Sequence, residues 1–136
     1  MNTGSVYKYY SFKGDYHLQK NQSFYNRFLF AWNGLRSTFK QENSFKTEVV
    51  LAIVASIILF FLKAEPIWWA IFLILMSSIM ALELVNTAIE NTLDRLHPEH
   101  NPQIGLAKDC AAAAIFLMCV ISVVVFFIFL YEKFNI

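Results

Sequence analysis

Glu83 and Glu90 stand in the run Glu83-Leu84-Val85-Asn86-Thr87-Ala88-Ile89-Glu90, at the end of an apolar stretch that begins near Pro66. An ionisable group inside a membrane span costs on the order of 2.5–3.5 kcal/mol on insertion scales. Two such groups in one segment point to a use for them. Glu83, Asn86, Glu90 and Asp94 follow one another at helical spacing, which puts all four on one helix face. At 1.5 Å per residue the stripe is about 16 Å long. It runs from within the bilayer to the water. Carboxylate oxygens are the hard ligands that magnesium prefers, with substrate phosphates filling the other positions. A carboxylate deeper in the membrane can take a proton from a hydroxyl held there.

Two further polar sets belong at the same membrane level. Gln41-Glu42-Asn43 closes an amphipathic segment just before the first span, and Lys108-Asp109 opens the last one. Asn101-Pro102 reads as the N-cap and first residue of that last helix. A lysine within two turns of a helix N-terminus suits phosphate. The chemistry summed over these groups is a meeting point for a water-soluble phosphate donor and a lipid acceptor. The residues alone leave two other uses open. Intramembrane carboxylates serve a small cation-coupled carrier or channel subunit, and polar residues also glue the helices of a scaffold together. No P-loop, kinase glycine loop or dinucleotide fingerprint is present. His97-Pro98-Glu99-His100 is a weak metal motif, since the proline interrupts helical geometry, and reads as an interfacial loop. Cys110 and Cys119 are nine residues apart, which sends them to opposite sides of one helix. They read as small packing residues, and the alanines at 111–114 as a close helix approach.

The elements that must position these groups follow from composition and pattern. Of 136 residues, 57% are hydrophobic and 15% charged, with mean hydropathy +0.47. A soluble domain would be nearer a quarter charged, so an all-helical integral membrane protein is expected. The net charge of +1 gives no reason to expect nucleic acid as a partner. Residues 1–22 are polar and mixed, and are expected to be a poorly ordered tail. From Ser23, an N-cap candidate, Phe24, Phe28, Trp32, Leu35 and Phe39 recur at helical spacing, with Arg27, Asn33, Arg36 and Lys40 mostly off that stripe. This predicts an amphipathic surface helix over 23–42, lying in the membrane interface. Three spans follow, at about 47–63, 66–93 and 106–131. The short link Lys63-Ala64-Glu65-Pro66 makes the first two an antiparallel hairpin, with Trp68 and Trp69 as interfacial anchors. One membrane domain is expected over 23–136. The first apolar run begins too late for a cleavable leader, so the chain is expected to insert by its own spans. Seven lysines and arginines precede the first span, and Arg95 and Lys108 flank the 94–108 connection. Only Lys63 and Lys133 lie on the other side. The positive-inside rule then makes the N-terminus and the 94–108 connection cytoplasmic and leaves the C-terminus outside.

The run from Glu83 to Glu90, then Asp94, then Ala107-Lys108-Asp109 followed by alanines resembles the signature of the small prokaryotic diacylglycerol kinase family, which includes the undecaprenol kinases. Upstream, Ala31-Trp32-Asn33-Gly34-Leu35 and Glu42-Asn43-Ser44-Phe45 match its surface helix and the start of its first span. The resemblance covers about residues 24–131. It implies a three-span homotrimer with active sites shared between subunits, in the bacterial cell membrane. It also implies transfer of the γ-phosphate of ATP to a lipid hydroxyl with magnesium. Carried over by motif, Glu83 would be the general base, and Glu90 and Glu42 would hold metal bound to ATP. Asn86 would orient groups around the phosphate. Lys108 and Arg27 would contact phosphate, and Asp94 and Asp109 would serve nucleotide binding. The wording around Asn86 and Lys108 is closer to the undecaprenol kinases, a faint signal for the acceptor.

Overall fold

The computed structural model describes residues 23–97, 99 and 101–134. The expected tail at 1–22 and His100 lie outside the described residues. Four α-helices follow one another and no strand occurs among the described residues: α1 Phe24–Gln41, α2 Asn43–Phe61, α3 Pro66–Leu96 and α4 Pro102–Phe134. Three of them, α2, α3 and α4, are long and apolar enough to cross a membrane. The architecture is that of an all-α membrane protein with an amphipathic helix in front of three spans.

Local chemistry sets the helix ends. The Ser23 hydroxyl accepts the Asn26 N–H at 3.3 Å and caps α1, satisfying one of the N–H groups that a helix start leaves open. Glu42 alone adopts an extended conformation (φ −96°, ψ 120°) and separates α1 from α2. So α2 begins at Asn43, four residues before the span expected at 47–63. The chain re-enters the helix as soon as the single extended residue has been passed. At the other end of α2, Lys63 holds φ 50°. Its N–H reaches the Phe60 carbonyl, and the Ala64 N–H reaches that of Leu59. These two bonds form a Schellman cap with lysine in the left-handed position where glycine is usual. Pro66 is the first residue of α3, where its missing N–H costs nothing. The helix continues to Leu96, three residues beyond the expected end at 93. His97 then turns away at φ −134°, ψ 75°, as the residue before a proline tends to do. Asn101 caps α4, its side-chain oxygen accepting the Gln103 N–H at 2.9 Å. Accordingly α4 starts at Pro102 and runs to Phe134, outreaching the expected 106–131 span at both ends.

The packing is centred on α3. It touches α1, α2 and α4, whereas α2 and α4 do not pack against each other. Both ends of the α3–α4 pair carry polar ties. At one end the Trp68 indole N–H donates to Glu132 at 3.4 Å and the Lys133 amine to the Lys63 carbonyl at 3.4 Å. At the other, Lys108 pairs with Asp94. The buried apolar side chains are few: Phe45, Leu59, Ile79 and Phe129. Phe24 is 85% exposed and Phe61 75%. A chain with so much bare apolar surface and so small a core is covered by lipid or by other protein.

The left-handed lysine gives a first prediction. A non-glycine residue in this conformation costs about 1–2 kcal/mol. Lys63→Gly is expected to raise stability by about 1 kcal/mol, and Lys63→Val, which is branched at Cβ, to lower it by at least that much. Thermal unfolding of the two variants in one detergent checks the opposite signs.

Candidate active site

The polar stripe of α3 becomes progressively more exposed along its length. Glu83 is 4% exposed, Asn86 8% and Thr87 9%. Glu90 is half-buried, and the Asp94 side chain is 63% exposed. Covering of the deep end comes from α2. The Ser44 hydroxyl, in the first turn of α2, donates to a carboxylate oxygen of Glu83. Burying a carboxylate without a hydrogen-bond donor is far more costly than burying it with one, so this contact holds the hairpin's two helices at a definite register. One turn after Ser44, Glu48 also lies within electrostatic reach of Glu83. One oxygen of Glu48 is buried without a partner. Farther along α3, Asn86 donates its amide N–H to Glu90 at 3.1 Å. Its own side-chain oxygen is left buried with no donor. Asn91 donates to the Thr87 carbonyl at 2.8 Å, which ties its amide to its own helix and off the stripe.

At the exposed end, α3 and α4 enclose an open cleft of about 450 Å³ whose lining includes Asp94, His97, Asn101, Gly105 and Lys108. The Lys108 amine bridges to Asp94 there. The cleft therefore sets Lys108, held by Asp94, beside the start of a long helix, with Glu99 as a second carboxylate in the lining; the lysine and the helix start favour anionic oxygen.

Of the residues singled out from the sequence, Glu83, Asn86, Glu90 and Asp94 do share one face, and Lys108 meets its lower end. Glu42 is half-buried at the joint between α1 and α2, and its side chain makes no capping bond there. Asp109 is exposed on α4 beside Lys108. Arg27 lies exposed near the start of α1 and forms no ion pair among the described residues. His97 borders the cleft. Ser44 and Glu48 were not singled out. Their signal was present as a pair one turn apart on the helix that faces Glu83, inside what reads as the edge of an apolar run.

Magnesium can be tested against these donors. No group of three histidine, cysteine or acidic side chains among the described residues could hold a metal by itself. Magnesium commonly takes one or two carboxylates together with water and substrate phosphate. Glu90, with one oxygen not engaged by Asn86, and Glu42, with no capping bond, each offer a carboxylate of that kind.

Residues 29–130 match the family model described as prokaryotic diacylglycerol kinase. The undecaprenol kinase of Bacillus subtilis is 34% identical over 109 residues, covering 80% of this chain and 89% of that protein. The diacylglycerol kinase of Haemophilus influenzae is 34% identical over 100 residues, covering 73% and 85%. That of Escherichia coli K12 is 30% identical over 106 residues, covering 78% and 87%.

Stability separates the two ends of this stripe. The Asp94–Lys108 pair is largely in water, so Asp94→Asn is expected to change stability by less than about 1 kcal/mol. Ser44→Ala, which strips a donor from buried Glu83, is expected to cost about 1–3 kcal/mol. Unfolding of both variants in the same micelles measures the contrast.

Proposed function

The chain belongs to the prokaryotic diacylglycerol kinase family and is a multi-pass bacterial membrane lipid kinase, and on that premise we propose that it transfers the γ-phosphate of ATP to the hydroxyl of a membrane lipid alcohol, diacylglycerol or undecaprenol. The observation that carries the proposal is the continuous polar stripe of α3. It has a buried carboxylate at its membrane end and an open, lysine-bearing cleft at its other end. One substrate arrives through lipid and the other through water, and the stripe spans the distance between them.

In this reading the acceptor approaches from the bilayer and its hydroxyl meets Glu83. The lipid oxygen forms a bond to the γ-phosphorus while the bond from that phosphorus to the β–γ bridging oxygen breaks. The hydroxyl proton goes to Glu83, and ADP leaves with the bridging oxygen. Ser44 holds the Glu83 carboxylate in place. Asn86 has a free side-chain oxygen and an N–H already turned to Glu90, and it orients groups around the transferred phosphate. Lys108 contacts phosphate, Asp94 and Asp109 position the nucleotide, and Arg27 is a further phosphate contact. Glu90 and Glu42 would hold magnesium, which when bound neutralises charge on the phosphate oxygens. Phosphoryl transfer depends chiefly on such positioning and charge neutralisation.

The orientation proposed has the N-terminus, the cleft and the 97–101 connection in the cytoplasm, where ATP is found, and the C-terminus outside. The assembly proposed is a homotrimer with sites shared between neighbours. The bare outer faces of α2 and α4 and the exposure of Arg27 and Asp109 favour a second chain completing the site.

Purified protein in micelles with labelled ATP and magnesium tests the proposal, with diacylglycerol and undecaprenol offered separately. Label is expected to enter at least one lipid. Glu83→Gln is expected to lower the rate at least about a hundredfold while the variant still inserts and assembles. Undiminished transfer by that variant would remove Glu83 from the role of base. Ion flux in vesicles without ATP consumption would support a carrier instead. Glu90→Gln is expected to raise the magnesium concentration needed for half-maximal rate by about tenfold or more. An unchanged magnesium titration would take Glu90 out of the metal site.

A further inference from the structure

The pairing of α3 with α4 fixes which residues stand level with each other. Asp94 meets Lys108 near one end, and Trp68 meets Glu132 at the other. The helices run antiparallel, so each step back along α3 is matched by one forward along α4. Eleven residues separate Glu83 from Asp94, and eleven separate Lys108 from Cys119. At 1.5 Å per residue, both lie about 16 Å from the Asp94–Lys108 pair. Cys119 thus stands level with Glu83. Its thiol also lies within electrostatic reach of both Glu48 and Glu83. It is half-buried and not in a disulfide. Three helices therefore bring two carboxylates and a thiol together, Glu48 from α2, Glu83 from α3 and Cys119 from α4.

The surroundings call for a ligand of a particular kind. Asn86, more than nine-tenths buried one turn from Glu83, has a side-chain oxygen without a donor, and so has Glu48. α2 and α4 do not pack against each other, so each meets α3 separately, α2 through Ser44 and α4 at the level of Cys119. A molecule that offers a hydroxyl on an apolar body brings one such donor, with carbons that suit the apolar helix faces around it.

We propose that Cys119 is a positioning residue for the lipid acceptor, forming the α4 wall of the pocket in which the alcohol end seats beside Glu83. This rests on the reading of Glu83 as the base and goes beyond it, since it names the residue that controls how the acceptor sits. A thiol is small and only weakly polar. It lies against the apolar carbons next to the hydroxyl without competing for the carboxylate, as a serine or threonine hydroxyl would. A bulky side chain at this position fills the space of those carbons and leaves the cleft for ATP untouched.

The test follows alkylation of Cys119 by N-ethylmaleimide in phosphatidylcholine vesicles. The chain has two cysteines, so Cys110→Ala leaves Cys119 as the one thiol. The sulfur–carbon bond forms as the maleimide double bond opens, and the thiol proton ends on the neighbouring carbon. Mass spectrometry counts the adduct. At lipid alcohol near ten times its dissociation constant about a tenth of the sites stay empty. Diacylglycerol or undecaprenol is then expected to slow alkylation about tenfold, whereas magnesium–ATP alone leaves the rate unchanged. In turnover, Cys119→Phe is expected to raise KM for the lipid about tenfold with KM for ATP unaltered. An alkylation rate indifferent to lipid alcohol overturns the inference. So does a thiol that never reacts, and so does a Cys119→Phe protein that loses kcat with the lipid KM intact. Protection of the thiol without any phosphoryl transfer would retain the pocket and remove the kinase reading. Transfer without protection would do the reverse.

Discussion

The structure is organised by the need to keep a carboxylate buried among apolar helices. Glu83 is almost fully buried, and in a low-dielectric setting its charge demands donors. The hydroxyl of Ser44 is supplied from the first turn of α2, which starts just after Glu42 breaks the helix. A continuous helix through residue 42 would carry Ser44 along the α1 direction and away from α3. The extended Glu42, the short link at 62–65 and the central position of α3 together set Ser44 against Glu83. A site built on helices rather than loops also holds its groups more rigidly.

Length is the second constraint. At 31 and 33 residues, α3 and α4 are each about 45–50 Å long, well beyond the roughly 30 Å of a hydrocarbon core. The surplus must emerge, and the polar ties at the two ends of the pair hold the two helices in step where it does. Trp68 with Glu132 anchors one end, and Asp94 with Lys108 the other. Each tie is weak in water, yet two of them far apart fix the relative slide of the helices. That slide decides which residues of α4 face Glu83. A shift of one turn would replace Cys119 by Ile115 or Val123 at that level and would move Lys108 out of the cleft.

The parts legible in the sequence were those determined by neighbours along the chain. The stripe from Glu83 to Asp94 followed from helical periodicity, the caps at Ser23 and Asn101 from side-chain chemistry, and the start of α3 from Pro66. The family was legible in the Glu83–Glu90 and Lys108–Asp109 motifs, and the family model agrees with it. What was not legible depended on packing between helices. Ser44 carries no local mark of being the partner of Glu83, thirty-nine residues away. Glu48 was absorbed into an apolar run whose hydropathy hides a single charge. Cys119 reads as packing until the register of α3 and α4 is known. The span limits at 47–63 and 106–131 followed hydropathy, whereas the helices themselves end where caps and prolines dictate. Hydropathy marks the segment that sits in lipid, and helix length includes the turns that leave it.

The scarcity of core bears on how such a site can be stable at all. Only Phe45, Leu59, Ile79 and Phe129 are buried apolar side chains among the described residues. In water this would be far too little to offset the entropy of ordering the chain. In a bilayer the balance is different, because the helices form to satisfy their own backbone and lipid covers the apolar faces at no penalty. Polar contacts between helices then carry more of the specificity, since apolar side chains gain little by choosing protein over lipid. Ser44 with Glu83, Asp94 with Lys108 and Trp68 with Glu132 are such contacts, and two of the three are made by residues of the polar stripe. The groups that hold the helices together are therefore largely the groups proposed to do the chemistry. A substitution at Glu83 is expected to touch the packing as well as the proposed reaction, which is why insertion and assembly belong beside turnover in any reading of its effect.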